Sequence, residues 1–470
     1  VSAQAGLRLL VRQRTPALGL LLTIALATLA GVAEASDYQR EALALAGVAT
    51  VMVFACIRPG LYIFVLAAMF LVPYSWSPTL INAPTPAIML LALPAGVAAV
   101  VILMHRGRLP LCVFDYLVMA IFITAIFSEI ATASAAGILG SHTLTHNELE
   151  VLLLPYFAFR LILAAWPRVV DRLPLAVMVA GAALSLVAIW EEITRTNLFA
   201  NSGLNNPELA VWEHTFPRAG GVRADAAMGH PIALGSFLII PLVFAFGQRR
   251  WGLFALLAVG EALTLSRGPY IAAFVALVLC SILTRRMGRL WGVICVVVLL
   301  GFFVGPVRNS VTNSFQAGSK EAKTANYRSE LLGTSLGSVT VWGKPSGRTD
   351  ELYASQQGQV KLPDVTSELA LMSGRQGIFG LTIWIGFLLS FVYVIWEARR
   401  RSDSLLLFLG VALTAEWVAL LSVALITSFQ YAFWLMVAMT AVRLRQSPLP
   451  PTLPETGRTD SYAQLEPLPA

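Results

Sequence analysis

The chain has 470 residues, of which 57% are hydrophobic and only 13% charged, and its mean hydropathy is +0.73. A water-soluble protein of this length needs far more polar surface, so the composition excludes a soluble enzyme and points to a chain that crosses a membrane many times. The net charge of +7 does not call for nucleic acid, because most of the basic residues fall in connections between apolar runs.

Inside lipid every backbone amide and carbonyl needs a partner within the protein, which leaves helices or a closed barrel. The apolar runs are continuous, with no alternation, so helices are expected. In chain order they cover roughly 16–33, 42–57, 60–73, 86–104, 111–127, 149–166, 173–190, 231–247, 251–265, 269–284, 290–305, 377–396, 404–421 and 423–442. The third is short for a bilayer, which needs about 20 residues. The expected fold is therefore all-α, a polytopic transmembrane helix bundle of about 12–14 spans. Its domains are N-terminal spans over 1–190, an outer loop over 191–230 and spans over 231–305. A large outer-face loop with short helices follows over 306–376, then C-terminal spans over 377–445 and a disordered tail over 446–470. Arg8, Arg12 and Arg14 precede an apolar stretch ending in Ala33-Glu34-Ala35, which is similar to a signal-peptidase site; a first transmembrane helix is the preferred reading.

The basic residues orient the spans. With the N-terminus inside, the inner connections hold Arg58, Arg106 and Arg108, Arg168 and Arg172, and Arg249 and Arg250. Further along they hold Arg285, Arg286 and Arg289, then Arg399, Arg400 and Arg401, then Arg443 and Arg445. The short outer connections 74–85 and 422–427 contain no Lys or Arg. This alternation is the positive-inside pattern, and it puts both termini in the cytoplasm and the long loops on the outer face.

Arg267 breaks the pattern. It stands in Leu265-Ser266-Arg267-Gly268-Pro269-Tyr270 between two apolar runs, on the side where short connections lack positive charge. An arginine deep in a membrane costs roughly 2.5–3.5 kcal/mol, so it calls for an anionic ligand. Arg195, Arg218, Arg223, Arg308, Arg328, Arg348 and Arg375 share its face. Arg195, Arg308 and Arg348 read as a solvated basic surface. Arg328 falls on a segment, 321–336, whose leucines share one helical side. A guanidinium fork donates two hydrogen bonds at once, so converging arginines can hold a diphosphate without a metal.

Other chemistry is sparse. Cys56, Cys112, Cys280 and Cys295 lie in apolar runs and read as packing residues. His142 and His146 stand four apart with no third ligand, so no metal site is expected; His214 is a weak base candidate, and His230 before Pro231 reads as a helix start. Glu261, Glu416 and Arg160 are charges within spans, either functional or a structural pair. Asp225, Asp364 and Glu368 are the acids near the outer arginines. No phosphate loop, nucleotide fingerprint or nucleophile elbow occurs, and no cofactor is implied.

Three pieces in order resemble the O-antigen ligase and O-antigen polymerase superfamily. The first is Gly221-Val222-Arg223-Ala224-Asp225-Ala226-Ala227-Met228-Gly229-His230-Pro231, with Ile232 where the family usually has Asn. The second is the turn Ser266-Arg267-Gly268. The third is a long outer loop with Arg328 leading to Gly374-Arg375-Gln376-Gly377-Ile378-Phe379-Gly380-Leu381, similar to the family's Gly-Ile-x-Gly-Leu entry into a span. The resemblance covers roughly 180–400. It implies a glycosyltransferase of a bacterial inner membrane that polymerises or ligates surface polysaccharide at the outer face. The donor would be an undecaprenyl-diphosphate-linked glycan and the acceptor a polysaccharide or lipid, with polysaccharide export proteins as partners. Arg223 and Arg267 would hold the diphosphate, assisted by Arg328 and Arg375. Ligases carry a His-Asn pair before this glycine; here Thr366 and Ser367 stand at that distance, so Glu368 or Asp364 would be the acceptor base. The alternatives are a transporter or flippase, or a non-catalytic partner in polysaccharide assembly.

Overall fold

A computed structural model of the protein describes chiefly residues 66–74, 95–103, 109–132, 153–199, 216–218, 221–285, 339–343 and 367–446, with short interruptions. The described chain is almost entirely helical. The helices are α1 (Val113–Thr132), α2 (Leu154–Ala165), α3 (Leu173–Thr194), α4 (Pro231–Gly247), α5 (Trp251–Leu263) and α6 (Arg267–Leu283). After the long loop come α7 (Glu368–Arg401), α8 (Ser404–Leu420) and α9 (Phe429–Arg445). Between α3 and α4 a two-stranded antiparallel hairpin, β1 (Phe216–Arg218) and β2 (Gly221–Arg223), pairs Phe216 with Arg223.

Three helices, α1, α3 and α7, are long and apolar enough to cross a membrane; α2, α4, α5, α6 and α8 are shorter apolar helices. Their positions follow the apolar runs closely. The expected spans 16–33 and 42–57 lie outside the described residues, as does 290–305 apart from Gly292, and 60–73 and 86–104 are described only in part. Nearly all of the amphipathic segment 321–336, apart from Gly333 and the exposed Leu336, and nearly all of the tail also lie outside.

Helix α4 is the centre. Every residue from Ala233 to Phe246 is buried, and α3, α5, α6, α8 and α9 all pack against it. A helix that is apolar on all sides belongs in such a core, because no face of it gains from polar surroundings. His230 starts it: its Nδ1 accepts from the Ile232 amide at 3.1 Å, and Pro231 takes the first helical position, where no N–H is needed. Helix α9 is likewise buried on nearly all sides and packs on α2, α8 and α4. Its Trp434 meets Tyr156 of α2 edge-on at 6.0 Å and Phe387 of α7 at 6.2 Å, and Phe391 of α7 stacks on Phe114 of α1 at 5.8 Å.

One set of helix ends is tied together by arginines. At one end Arg443 reaches Asp171 (3.0 Å) and Asp403 (2.6 Å). At the same end Arg401 donates to the Leu444 and Gln446 carbonyls, and Gln446 donates to that of Pro167. Helix direction then puts Glu368, His230, Leu263 and Arg267 at the opposite end.

The intrahelical charge Arg160 finds its partner in Asp115, not in Glu261 or Glu416. Its Nε lies 3.1 Å from Asp115 Oδ1, and both side chains are about 1–2% exposed. Arg160 Nη2 donates to the Pro110 carbonyl at 2.7 Å, while Tyr156 Oη and the Cys112 amide each donate to Asp115 at 2.7 Å. The network ties the start of α1 to the middle of α2. Removing one member leaves a buried charge uncompensated. Asp115→Ala is expected to lower unfolding stability by roughly 3–5 kcal/mol, whereas the paired change Asp115→Leu with Arg160→Met recovers most of it. Thermal unfolding of the detergent-solubilised protein checks both; equal losses in the two variants would contradict the pairing.

Candidate functional site

The reversal between α5 and α6 creates the site. Helix α5 ends at Leu263 and α6 begins at Arg267, so the chain turns back within Thr264, Leu265 and Ser266. Leu265 takes a left-handed conformation (φ 48°) while its side chain is buried. A non-glycine residue held there costs on the order of 1–3 kcal/mol and persists only where its surroundings over-determine it. Those surroundings are visible. Thr264 Oγ1 donates to the Glu261 carbonyl at 2.8 Å, Tyr270 Oη donates to that of Ala262, and the Ala224 amide donates to that of Leu263 at 3.1 Å.

Arg223 completes the set. Its Nε donates to the Thr264 carbonyl at 3.2 Å and its Nη2 to Ser266 Oγ at 2.8 Å. Ser266 Oγ in turn donates to the Thr264 carbonyl at 3.0 Å. Two nitrogens of one rigid fork on two neighbouring acceptors fix the plane of the guanidinium. Ser266 is the N-cap residue of α6, but its hydroxyl makes no capping bond. The Ser266 hydroxyl is thus turned toward the Thr264 carbonyl and not onto the first turn of α6, and a helix N-terminus favours anions. Arg267 itself is half-buried. The structure therefore brings the Arg223 side chain and the residue preceding Arg267 into direct contact, across 43 residues of sequence.

The segment that carries Arg223 is held from behind by α3. Glu192 Oε2 accepts from the Val222 amide at 3.2 Å, and Glu191 Oε2 accepts from the amides of Asp225 (3.1 Å) and Ala226 (3.0 Å). Asn197 Nδ2 donates to Asp225 Oδ1 at 2.8 Å. Burial, and then the neighbouring Glu191 carboxyl, push the Asp225 carboxyl well above the usual carboxylate range. Glu191 and Glu192 were missed in the sequence. They sit at the end of an apolar helix, where acids ordinarily mark only an exit into water.

Glu368 and Arg375 form a second group at the same end. Glu368 is the first residue of α7, 4% exposed; its Oε2 accepts from the Leu425 amide at 2.9 Å and its own amide donates to the Val423 carbonyl at 3.0 Å. It thereby ties α7 to the α8–α9 connection. Arg375 acts electrostatically on the Glu368 carboxyl. The expected entry at Gly377 is a break inside α7, which begins at Glu368: Gly377 is non-helical (φ 63°, ψ −148°). There the chain meets 340–343, with the Ile378 amide donating to the Thr340 carbonyl at 3.1 Å and Ser128 Oγ of α1 to the Arg375 carbonyl at 2.6 Å. Arg328 and Asp364 lie outside the described residues, as do His142, His146 and His214. Glu261 and Glu416, on α5 and α8, are buried within electrostatic reach of each other. Among the described residues no group of three or more metal-ligating side chains occurs. No protein-family model matches the chain, and no curated protein matches it.

The break at Gly377 sets where Arg375 stands. A Cβ at Gly377 would lie 2.3 Å from the Thr340 carbonyl oxygen and 2.5 Å from the Gly343 amide, both backbone atoms that cannot rotate away. Gly377→Ala is expected to destabilise the protein by roughly 1–3 kcal/mol from the backbone conformation alone, and by more from the collision. A melting temperature equal to that of the unmodified protein would show that the 340–343 contact is not made.

Proposed function

We propose that the chain is a polytopic membrane glycosyltransferase that takes a glycan from an undecaprenyl-diphosphate carrier. The acceptor is the hydroxyl of a second glycan or lipid. The observation that carries this reading is the docking of Arg223 onto the Thr264–Ser266 turn immediately before Arg267. Two guanidinium-bearing segments meet at a helix start whose N-cap serine makes no capping bond, at the end of the helices opposite the Arg401 and Arg443 cluster. The resemblance of the same residues to the O-antigen ligase and polymerase superfamily points the same way. In this reading the basic end is cytoplasmic and the Arg223 end faces outward, as the alternation of basic connections predicts.

The chemistry needs little more. The acceptor oxygen attacks the anomeric carbon, the bond from that carbon to the diphosphate oxygen breaks, and the diphosphate leaves with the bonding electron pair. Arg223 and Arg267, assisted by Arg375 and Arg328, neutralise the charge that develops on the leaving group. The hydroxyl proton goes to a carboxylate, for which this reading assigns Glu368, with Asp364 as the other candidate.

Two measurements test the assignment on purified protein in lipid nanodiscs supplied with a polyprenyl-diphosphate oligosaccharide, by following release of the polyprenyl diphosphate. Arg267→Ala and Arg223→Ala are each expected to slow release about 10²–10³-fold, the usual effect of losing one group that stabilises developing charge, with helical content unchanged by circular dichroism. Release at the unmodified rate in both variants sinks the reading. Glu368→Gln keeps an acceptor for the Leu425 amide and removes only the base. It is expected to lower kcat about 10²–10⁴-fold with the donor KM unchanged; an unchanged kcat removes Glu368 from the reaction.

A further inference from the structure

The back of the Arg223 segment holds two carboxyls where one would serve. Glu191 is 1% exposed and Asp225 2% exposed, and the two carboxyl groups lie within hydrogen-bonding reach of each other. Glu191 Oε2 is occupied by the Asp225 and Ala226 amides, and Asp225 Oδ1 by Asn197. The remaining oxygens, Glu191 Oε1 and Asp225 Oδ2, are closed off from solvent and make no hydrogen bond of normal geometry among the described residues, the Leu198 amide being the other N–H beside the Glu191 carboxyl. Two ionised carboxylates in that position would repel in a medium that screens poorly. One proton between them converts the repulsion into a short hydrogen bond.

The amides that Glu191 grips are not ordinary ones. Asp225 has φ −122° and ψ −15°, and Ala226 is left-handed at φ 46°. Successive residues of this kind turn their N–H groups into one concavity that binds an anion, here the Glu191 carboxylate. The strained Ala226 conformation is held by that anion. Three residues before Ala226, on the same short run of backbone, stands Arg223 with its guanidinium on Ser266.

We propose that Glu191 and Asp225, sharing one proton, are positioning residues that hold the Arg223 guanidinium against the start of α6. The proposal rests on the reading of that place as an anion site. The charged and titratable groups on the elements packed around the pair are Glu192 on α3, its ion-pair partner Arg195 just past the end of α3, and Arg223 on the hairpin. Beyond them are Glu261 on α5, His230 at the start of α4, and Tyr74 against Gly229. Because Asp225 keeps its proton to a higher pH in the folded chain than in the unfolded one, the clamp is complete at low pH and weakens as pH rises.

Glutamine at 191 separates the roles. Its carbonyl still accepts from the two amides, and its amide group donates to Asp225, which reproduces the proton-sharing form at every pH. The probe is inorganic pyrophosphate, titrated against the full-length protein in nanodiscs at about pH 6 and about pH 9. The ratio of unmodified to Glu191→Gln affinity cancels the titration of pyrophosphate itself. That ratio is expected near one at the lower pH and about tenfold lower at the higher, while Glu191→Ala binds about tenfold more weakly than Glu191→Gln at both. A ratio that does not change with pH overturns the shared proton. Amide hydrogen exchange over 222–226, read without any ligand, tests the clamp separately. Faster exchange in Glu191→Ala supports it, and unchanged exchange overturns it. Faster exchange in a protein that binds no pyrophosphate in any form would leave the clamp standing and defeat the anion site.

Discussion

The reversal between α5 and α6 takes three consecutive carbonyls, those of Ala262, Leu263 and Thr264, out of the regular helical ladder; the turn's own Leu265 amide reaches that of Ala262 at 3.3 Å. In apolar surroundings such groups cost several kcal/mol each unless a donor reaches them. The other donors are the Tyr270 hydroxyl, the Ala224 amide and the Arg223 guanidinium with Ser266. The same need that closes the turn therefore brings the 222–226 segment onto it. A backbone constraint and the placement of a functional arginine are here one event. A neutral donor would satisfy the Thr264 carbonyl equally well; a guanidinium does so while placing a positive charge at the start of α6.

That segment has little helix or sheet of its own to stabilise it. The hairpin is three residues per strand, and the turn that follows holds a left-handed alanine. Its order comes from α3 on one side and the α5–α6 turn on the other. Acids at the end of α3 take its amides, and carbonyls at the end of α5 take its donors. Helix α4, buried on all sides, is the rigid element against which both helices are registered. Charge follows the same economy elsewhere. Arg160 enters the helix interior with Asp115, a tyrosine, and a carbonyl around it, and Arg443 at the opposite end draws two aspartates from distant connections.

Much of this is legible from residue order. The apolar runs at 173–190, 231–247, 251–265 and 404–421 predict their helices to within a few residues, because a run of that length with no polar interruption has no other way to satisfy its backbone. His230 before Pro231 is legible as a helix start for the same local reason. The stretch before Gly377 is less so. Glu368 to Gln376 is mixed in polarity, and only the approach of 340–343 shows that α7 begins there and breaks at Gly377.

The site divides along the same line. Sequence alone singles out Arg267, because a charge between apolar runs is expensive wherever it lies, and that cost does not depend on neighbours; Arg223 stands out only through the resemblance of the string it heads. It also singles out Arg160, but not its partner: Asp115 stands at the start of a run, where an acid looks like an ordinary helix-entry residue. Glu191, Glu192 and Ser266 carry no signal in the chain for the same reason, since acids and serines at helix ends are common and mostly solvated. Their roles come from hydrogen bonds that span 30 to 43 residues. The chain by itself determines which residues are costly and where helices must form, both being local consequences of transfer free energy. Which donors meet which acceptors is decided by the packing of α3, α4 and α5, because that packing alone brings distant polar groups within reach.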